Sequence, residues 1–505
     1  MESSLPAETL DQRQSSIDID AKNFREAGHQ LIDEIADFLS SIRDYPITAA
    51  STPGMVRAKL PDTMPLAGTG AVSLLEESWK LLAENSLLNG HPRFWGYITS
   101  SPAPIGMLGD LLASAINSNC GAFVLSPMAT EIEKQTIQWL GELIGYPAGA
   151  GIMVSGGNVA NFIGFLAARK AKANWDIRKL GLGPQQGKWR IYTSAETHTW
   201  INKAADLFGL GLDAIRWIPI DADQKMNISV LEEKIVEDKE QGLIPLLVVG
   251  TAGSVGTGVV DPLKQIAVIC KKHDCWFHVD GAYGGFAAAL PELKELFQGI
   301  ELADSIAIDP HKWLYSPLEV GCTLVKNASA LTDAFSFHPV YYNFESKEEE
   351  RTNFYESGFQ NSRGFRALKV WLGLRQLGAE GHVKLIREDI ALAQRAFQLM
   401  SSHEEIETFT QHLSITTFRY KPAGIDGKYG QEYLNKLNQS LLDRLQTGGE
   451  VFPSNAVLNG NFLLRICIVN FRTRLRDLET LLDIVTKQGK LIHEQMQKGA
   501  AFASE

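Results

Sequence analysis

Features that would place this chain in a membrane or outside the cell are missing from its sequence. No stretch of the 505 residues approaches the roughly eighteen consecutive apolar residues that a membrane helix needs. The first residues, Met1 to Pro6, have neither the basic nor the apolar region of a signal peptide. Five cysteines, an odd number in a long chain, do not suit a disulfide framework. We therefore predict a cytoplasmic protein with no membrane partner.

Basic character is also scarce. The net charge is -11 and the sequence contains no run of Lys and Arg, which argues against a nucleic-acid partner. An apolar content of 45% and a charged content of 21% are ordinary for a globular protein. The length of 505 residues allows about three domains. The composition thus leaves a globular enzyme or binding protein as the classes to consider.

The first part of the chain, residues 1–95, is predicted to be a helical segment that packs on another surface. Apolar residues between Phe24 and Ile42 recur at helical spacing, and a second helix is predicted at about 73–87. A proline-rich stretch from Pro46 to Pro65 separates the two. Because these elements have little core of their own, we expect them to lie against the rest of the protein or against a second subunit.

Residues 96–385 are predicted to form a large α/β domain. Short apolar strands alternate with helical stretches, and several strands are apolar throughout, as strands buried on both faces must be. Seven strands are predicted: Gly151–Val154, Trp189–Thr193, Ile215–Ile220, Pro245–Val249, Trp276–Val279, Ser305–Ile308 and Cys322–Val325. This pattern predicts a mostly parallel sheet covered by helices, and ligands of such sheets bind beyond the carboxyl ends of the strands.

The remaining residues, 386–505, are predicted to form a small α+β domain. Strands are expected at Ser414–Tyr420 and Phe462–Val469, and helices around Gln431–Gln446 and Leu475–Met496. A long helix around Phe365–Leu377 precedes them.

A lysine and an aspartate that each follow an apolar strand are the strongest functional signal. Lys312 stands in Asp-Pro-His-Lys-Trp-Leu (309–314), and Asp280 in His-Val-Asp-Gly-Ala-Tyr-Gly-Gly (278–285). A lysine can hold an aldehyde as a Schiff base, and a buried carboxylate can pair with a protonated ring nitrogen. Together they predict pyridoxal 5'-phosphate (PLP) as cofactor. A solvated lysine and an aspartate that caps a turn are the alternatives.

Three further segments follow predicted strands. Ser-Gly-Gly-Asn (155–158) precedes an apolar helix, so free amides there would suit a phosphate, with Asn158 as the helix cap; an ordinary strand–helix turn is the alternative. His198 could stack on a flat ring or simply cap a helix. The glycine-rich loop 250–258, which includes Thr251, lacks the spacing and the downstream acid of a dinucleotide fingerprint.

A metal site at Cys270, His273, Cys275 and His278 is rejected. Their spacing matches no zinc pattern, and Cys275 and His278 flank the same short strand.

Taken as a set, these motifs resemble the group II PLP-dependent amino-acid decarboxylases, the family of the aromatic-L-amino-acid, histidine and glutamate enzymes. The segment His-Pro-Arg-Phe-Trp-Gly-Tyr (91–97) belongs to the same set, and the likeness covers nearly the whole chain. The resemblance implies fold type I and a homodimer with active sites at the interface. It implies that Lys312 carries the cofactor, that Asp280 pairs with the pyridine nitrogen and that His198 stacks on the ring.

The resemblance also implies the other contacts. Cofactor contacts are expected at Gly156, Gly157, Asn158, Thr251, Ala282, Asp309 and His311. Asp309 stands where the family has Asn, Val255 where it has Thr, and Gly121 where the animal aromatic enzyme has a pocket Phe. Substrate contacts are expected at Phe94, Trp95, Tyr97, Ser100 and Ser362, and the serine favours a phenolic substrate. No arginine obviously fits the side-chain carboxylate of a glutamate substrate, and Arg93 and Arg363 are the candidates left open.

Tyr341 decides between two reactions. It matches the tyrosine of a mobile loop that delivers a proton to the substrate carbon, where related aldehyde synthases have Phe. The charged run 346–351 next to it suits an exposed lid. The expected activity is therefore decarboxylation of an L-amino acid, most simply an aromatic one, to the amine. An aldehyde synthase, another PLP-dependent carbon–carbon lyase, a nicotinamide oxidoreductase and a non-catalytic binding protein are the alternatives.

Overall fold

The computed structural model describes residues 11–12, 15, 17–185, 187–337, 351–424 and 430–502. In this part of the chain the large domain is built on a seven-stranded sheet. Its strands β1 to β7 are Ala150–Val154, Trp189–Ser194, Ile215–Ile218, Ile244–Thr251, Trp276–Asp280, Ser305–Ile308 and Gly321–Val325. Their order across the sheet is β1-β7-β6-β5-β4-β2-β3. All neighbours are parallel except β7, which is antiparallel to both β1 and β6.

Fifteen α-helices lie within the described residues, and several of them cover the sheet. In chain order, α1 to α15 are Ala21–Ser41, Pro53–Arg57, Ala71–Asn85, Pro104–Ile116, Pro127–Ile144, Gly157–Lys172, Ile177–Leu180, Trp200–Leu207, Ile228–Glu240, Leu263–His273, Pro310–Trp313, Ser329–Phe335, Ala367–Ser401, Gln431–Thr447 and Leu475–Phe502.

Local chemistry explains where several helices begin and end. Helix α1 begins after Asp20, whose carboxylate accepts the amides of Lys22 and Asn23 at 2.9 and 3.0 Å. Helix α5 ends at Gly145, which has a φ of 70° that suits a residue without a side chain. Helix α13 is longer than predicted because it resumes after a non-helical Gly378 and runs to Ser401.

The smaller domain has a four-stranded antiparallel sheet of order β10-β11-β9-β8. These strands, β8 to β11, are Ile406–His412, Ile415–Tyr420, Ser454–Leu458 and Asn461–Cys467. Helices α13, α14 and α15 pack against it around a separate core that includes Trp95. The first and third of these strands are absent from the sequence prediction, because their side chains are partly exposed and too polar to stand out.

The predicted architecture is confirmed: a mostly parallel seven-stranded sheet of fold type I, an N-terminal helical segment and a small α+β domain. Strand ends differ in detail. Strands β4 and β5 extend to Thr251 and Asp280, so these two residues end their strands rather than follow them. The domain limits at 95 and 385 stay predictions, and α13 runs across the second of them.

Helix α4 has an apolar face that this chain leaves exposed. Leu108, Leu111, Leu112 and Ile116 are each at least half exposed, with Ile116 at 68%. An apolar surface of this kind marks an interaction site. Among the described residues, no helix is long and apolar enough to cross a membrane.

Candidate active site

A cavity of about 320 Å³ lies at the carboxyl ends of the parallel strands. All ten predicted cofactor contacts line it: Gly156, Gly157, Asn158, His198, Thr251, Asp280, Ala282, Asp309, His311 and Lys312. The parallel strands explain this convergence, because their carboxyl ends meet at one edge of the sheet. The fold thus brings together residues that are up to 156 positions apart, from Gly156 to Lys312.

Lys312 reaches the cavity from the short helix α11, directly after β6. Its Nζ lies 2.9 Å from Oδ2 of Asp309, and its side chain is 18% exposed. The next residues anchor this helix in the core: the indole of Trp313 and the hydroxyl of Tyr315 both donate to Asp389, at 3.0 and 2.7 Å. A lysine held in this way is accessible to a ligand in the cavity but fixed in direction.

Asp280 also lines the cavity and is buried. Its Oδ2 accepts the indole N–H of Trp200 at 2.7 Å, and its Oδ1 accepts the amide of Ala282 at 3.2 Å. Within the described ranges it forms no ion pair. A buried carboxylate that is oriented by two donors and lacks a counter-ion is well suited to a cationic ring nitrogen.

His198 lines the cavity, and the residue as a whole is partly open to solvent. Its Nδ1 accepts the backbone amide of Trp200 at 3.3 Å, which sets the orientation of the imidazole. Desolvation lowers the pKa of His198, with Lys312 adding to the effect and Asp280 opposing it. The ring is therefore neutral near pH 7, the form that stacks most readily on a flat conjugated ligand.

The start of helix α6 forms one wall of the cavity. Gly156 precedes the helix with a φ of 142°, a conformation that glycine adopts readily, and the helix begins at Gly157 without a side-chain cap. Asn158 is therefore the second helical residue, and its predicted role as the cap is wrong. The first amides of the helix have no side-chain acceptor and no acidic residue in the first turn, which suits an anion such as phosphate.

Two buried oxygen atoms of residues that line the cavity have no hydrogen-bond partner within the described part of the chain. They are Oγ1 of Thr251 and Oδ1 of Asp309. Buried polar atoms are seldom left without a hydrogen-bond partner once a site holds its ligand. The uncapped helix, these two atoms and the Lys312–Asp280 pair together fit a ligand with a phosphate, an aldehyde and a basic ring nitrogen, as PLP has.

His311 connects the cavity to two neighbouring segments. Its Nδ1 lies 2.7 Å from the carbonyl oxygen of Val320, and its own carbonyl accepts the hydroxyl of Ser100 at 2.7 Å. Burial lowers the pKa of His311. Ser100, predicted to contact substrate, is placed by this bond beside the lysine helix but does not line the cavity.

The other predicted substrate residues do not meet at the cavity in this chain. Phe94 stacks on Phe452 with ring centres 5.2 Å apart. Trp95 is fully buried in the smaller domain's core and donates to Thr473 at 3.1 Å. Tyr97 and Ser362 are exposed, the tyrosine at 60%. The structure thus gives Phe94 and Trp95 a packing role, and leaves Tyr97 and Ser362 exposed, with the ring centre of Tyr97 6.5 Å from that of Phe452.

Arg363, a candidate for binding the side-chain carboxylate of a glutamate substrate, already forms an ion pair with Glu133. Its guanidinium lies 2.5 Å from Glu133, and both side chains are almost fully buried. It also donates to the carbonyls of Cys120 and Met153 at 2.9 and 2.7 Å. The prediction that Arg363 is a carboxylate-binding candidate is wrong for this reason. Arg93 does not line the cavity either.

The motif search missed Arg465, which stands in the middle of β11. Its side chain is 3% exposed, donates to Ser454 at 3.0 Å and contacts the carbonyl of Val255 in the cavity wall. Within the described residues it has no carboxylate partner. No sequence signal marks Arg465, because it lies inside an ordinary strand far along the chain from the motifs. Only the fold brings it into contact with Val255 of the cavity wall.

Tyr341 lies outside the described residues, so its predicted role stays a prediction.

The similarity to known proteins covers nearly the whole chain. A family model described as the pyridoxal-dependent decarboxylase conserved domain matches residues 53–421. The aromatic-L-amino-acid decarboxylase of Bacillus atrophaeus is 31% identical, over 95% of this chain and 97% of that protein. The phenylacetaldehyde synthase of Petunia hybrida is 29% identical, over 89% of this chain and 91% of that protein.

Among solved structures, the crystal structure of Oryza sativa TDC with PLP and tryptamine matches with a TM-score of 0.89 and 25% identity. The match covers 95% of this chain and all of that one.

Proposed function

We propose that this chain, which belongs to the pyridoxal-dependent decarboxylase family, converts an aromatic L-amino acid to its amine and carbon dioxide. The family and the cofactor follow from the comparisons, and so does the reaction class, a PLP-dependent carboxy-lyase. The observation that carries the proposal is that Lys312 and Asp280 both line one cavity. An aromatic substrate is supported by the names of the relatives.

Each of the main cavity residues has a separate role in the proposed reaction. Bound PLP supplies an aldehyde that joins amines and a ring that draws electrons from the substrate carbon. Lys312 would provide the amine that holds the cofactor. Asp280, oriented by Trp200, stabilises positive charge on the ring nitrogen. His198 covers the ring and limits the entry of water.

Two further residues are assigned to the substrate. Arg465 has five N–H donors and no carboxylate partner among the described residues, so we assign it to the substrate carboxylate beside Val255. Tyr341 is assigned as the acid that gives a proton to the substrate carbon once carbon dioxide has left.

The working unit is proposed to be a homodimer. The exposed apolar face of α4 supports it, because burying such a face is favourable. The exposure of Tyr97 and Ser362 is explained if they contact the cavity of the partner subunit. All five cysteines are free and buried, which suits the reducing cytoplasm that we propose as its location.

An assay of the products tests the proposal. Purified protein with added PLP is incubated with single amino acids, and carbon dioxide, amine and aldehyde are measured separately. We expect amine and carbon dioxide in equal amounts from tyrosine, phenylalanine or tryptophan, and little from glutamate. Aldehyde in place of amine would assign the chain to the synthase activity that the Petunia relative is named for.

The variant Tyr341→Phe separates the two outcomes. It should shift the product of the same substrate from amine toward aldehyde. An unchanged amine yield would remove Tyr341 from the mechanism.

A further inference from the structure

The helix that carries Lys312 is too short to fix the direction of this side chain. Helix α11 has four residues, about one turn, and a single turn is not stable without contacts from outside the helix. Before the lysine, His311 is held by Val320, whose carbonyl oxygen lies 2.7 Å from Nδ1 of the imidazole. After the lysine, the chain has to be held by the residues that follow it, Trp313 and Tyr315.

Asp389 holds both of these residues through one oxygen atom. The indole N–H of Trp313 and the hydroxyl of Tyr315 both donate to Oδ2 of Asp389, at 3.0 and 2.7 Å. The carboxylate comes from helix α13, and all three side chains are buried. Without Asp389, these two donors would lie in the core with no other acceptor among the described residues, which is costly.

Tyr315 depends on this bond because its backbone is strained. Its φ of 53° lies in the left-handed region, which a bulky residue rarely adopts. Such a conformation persists only where several contacts enforce it. The bond to Asp389 holds the side chain, and the carbonyl of Tyr315 accepts the amide of Ala103 at 2.8 Å. The amide of Tyr315 donates to the carbonyl of Lys312 at 3.2 Å, so the strained turn begins at the lysine itself.

Trp313 connects Asp389 to the wall of the cavity. Its ring is stacked on that of Tyr283, with centres 5.1 Å apart and an angle of 20° between the planes. Tyr283 lines the cavity, and its hydroxyl lies 2.8 Å from Oγ of Ser414. Asp389 thus fixes the edge of the indole and Tyr283 fixes its face. A shift of the indole would move the lysine that directly precedes it.

We propose that Asp389 is a positioning residue that keeps the amine of Lys312 directed at the aldehyde of the cofactor. This inference rests on the cofactor site described under the proposed function. Asp389 does not line the cavity, so it acts through Trp313 and Tyr315. In the step concerned, the neutral amine of Lys312 adds to the aldehyde carbon and one water molecule leaves. Such a step is fast only when the two reacting atoms are held close together and aligned.

The experiment compares two ligands on the full chain freed of cofactor. PLP has the aldehyde that reacts with Lys312, whereas pyridoxamine 5'-phosphate has the same ring and phosphate with an amine in place of the aldehyde. Attachment of PLP is followed by visible absorption after rapid mixing, and binding of pyridoxamine 5'-phosphate by titration calorimetry. In Asp389→Leu we expect attachment to slow at least about tenfold, while affinity for pyridoxamine 5'-phosphate changes less than about twofold.

Asp389→Asn is the conservative variant. Its amide oxygen can still accept from Trp313 and Tyr315, because both bonds reach a single oxygen in the native protein. We therefore expect PLP to attach within about threefold of the native rate.

A matched pair of tyrosine variants gives a milder test. Tyr315→Phe removes one of the two donors to Asp389. Tyr192 is also buried and its hydroxyl donates to a buried carboxylate, that of Asp238, at 2.8 Å, but it does not line the cavity. Tyr315→Phe should slow attachment about threefold or more, whereas Tyr192→Phe should leave the rate unchanged although it loses a similar bond.

An unchanged attachment rate in Asp389→Leu, or an equal loss of affinity for both ligands, would overturn the inference and leave Asp389 with a packing role. If Asp389→Leu does not fold, the tyrosine pair decides, and equal attachment rates in Tyr315→Phe and Tyr192→Phe would overturn the inference. Failure of PLP to attach to Lys312 in the native protein would instead contradict the proposed function.

Discussion

In the cofactor cavity, the lysine, both aspartates and the uncapped helix come from one chain and already have fixed positions. At the proposed substrate surface, Tyr97 and Ser362 are exposed, and neither lines the cofactor cavity. The two regions differ because the first is built at one edge of a sheet, whereas the second is expected to form only where two chains meet. We therefore propose that the folded single chain supplies the chemistry and that assembly selects the amino acid.

The largest effect is expected from a change on the cofactor side. Replacement of Asp280 by Asn should lower kcat on the order of 10²–10³-fold, because the amide cannot stabilise a positive ring nitrogen. Steady-state kinetics with saturating PLP measure it. The control Asp304→Asn changes a carboxylate at the opposite end of the same strands and should keep most of the activity. Equal losses in the two variants would mean that Asp280 serves only the fold.

A mixing experiment tests whether the substrate side is shared between subunits. Chains with Lys312→Ala and chains with Ser362→Trp should each be inactive, and co-expression should restore about a quarter of native activity. Half of the randomly formed dimers are mixed, and one of their two sites then combines Lys312 of one chain with Ser362 of the other. Absence of any recovery, with mixed dimers shown by tagged purification, would place Ser362 on the cavity of its own chain.

Arg465 lies where the two regions meet, so a smaller and more selective effect is expected. Arg465→Met should raise KM for the amino acid about tenfold, since a charge-assisted hydrogen bond to the carboxylate is lost. Affinity for PLP should stay nearly the same, as measured by cofactor titration. If PLP affinity fell and KM did not rise, the arginine would instead support the cavity wall through Val255.

The smallest effect is expected on the thermal stability of the protein, through Asp389, which accepts hydrogen bonds from Trp313 and Tyr315. Burial raises the pKa of Asp389 to about 7, above its value in the unfolded chain. The folded state therefore binds the proton more tightly, and this group's contribution to stability is lost as the pH rises from about 4 to 7. Asp389→Asn cannot ionise, so its Tm should fall less than the native Tm between these limits. Parallel melting curves of the two proteins would contradict the assignment.

The sequence predicted the cofactor side well for a physical reason. Buried parallel strands are continuous apolar runs, and a polar residue at the end of such a run is easily seen, as for Asp280. Arg465 gave no such signal, because a charged residue within an ordinary strand resembles an exposed one until the fold is known. Trp95 shows the opposite error: an aromatic residue in a functional motif can be part of a core.

The same reasoning explains the errors in secondary structure. Strands β8 and β10 were missed because neither is a continuous apolar run: β8 is partly exposed along most of its length, and β10 alternates between buried and exposed residues. Asn158 was expected to cap α6, yet the helix begins one residue earlier, at Gly157. Pattern alone does not fix a helix start to within one residue.

The central claim is that Lys312 holds PLP in the cavity that Asp280 also lines, and chemical trapping tests it most directly. Native protein is saturated with PLP, reduced with borohydride and digested, and the peptides are analysed by mass spectrometry. We predict one modified residue, Lys312, and complete loss of the visible absorption band and of the label in Lys312→Ala. A label on another lysine, or a band that persists in that variant, would contradict the account.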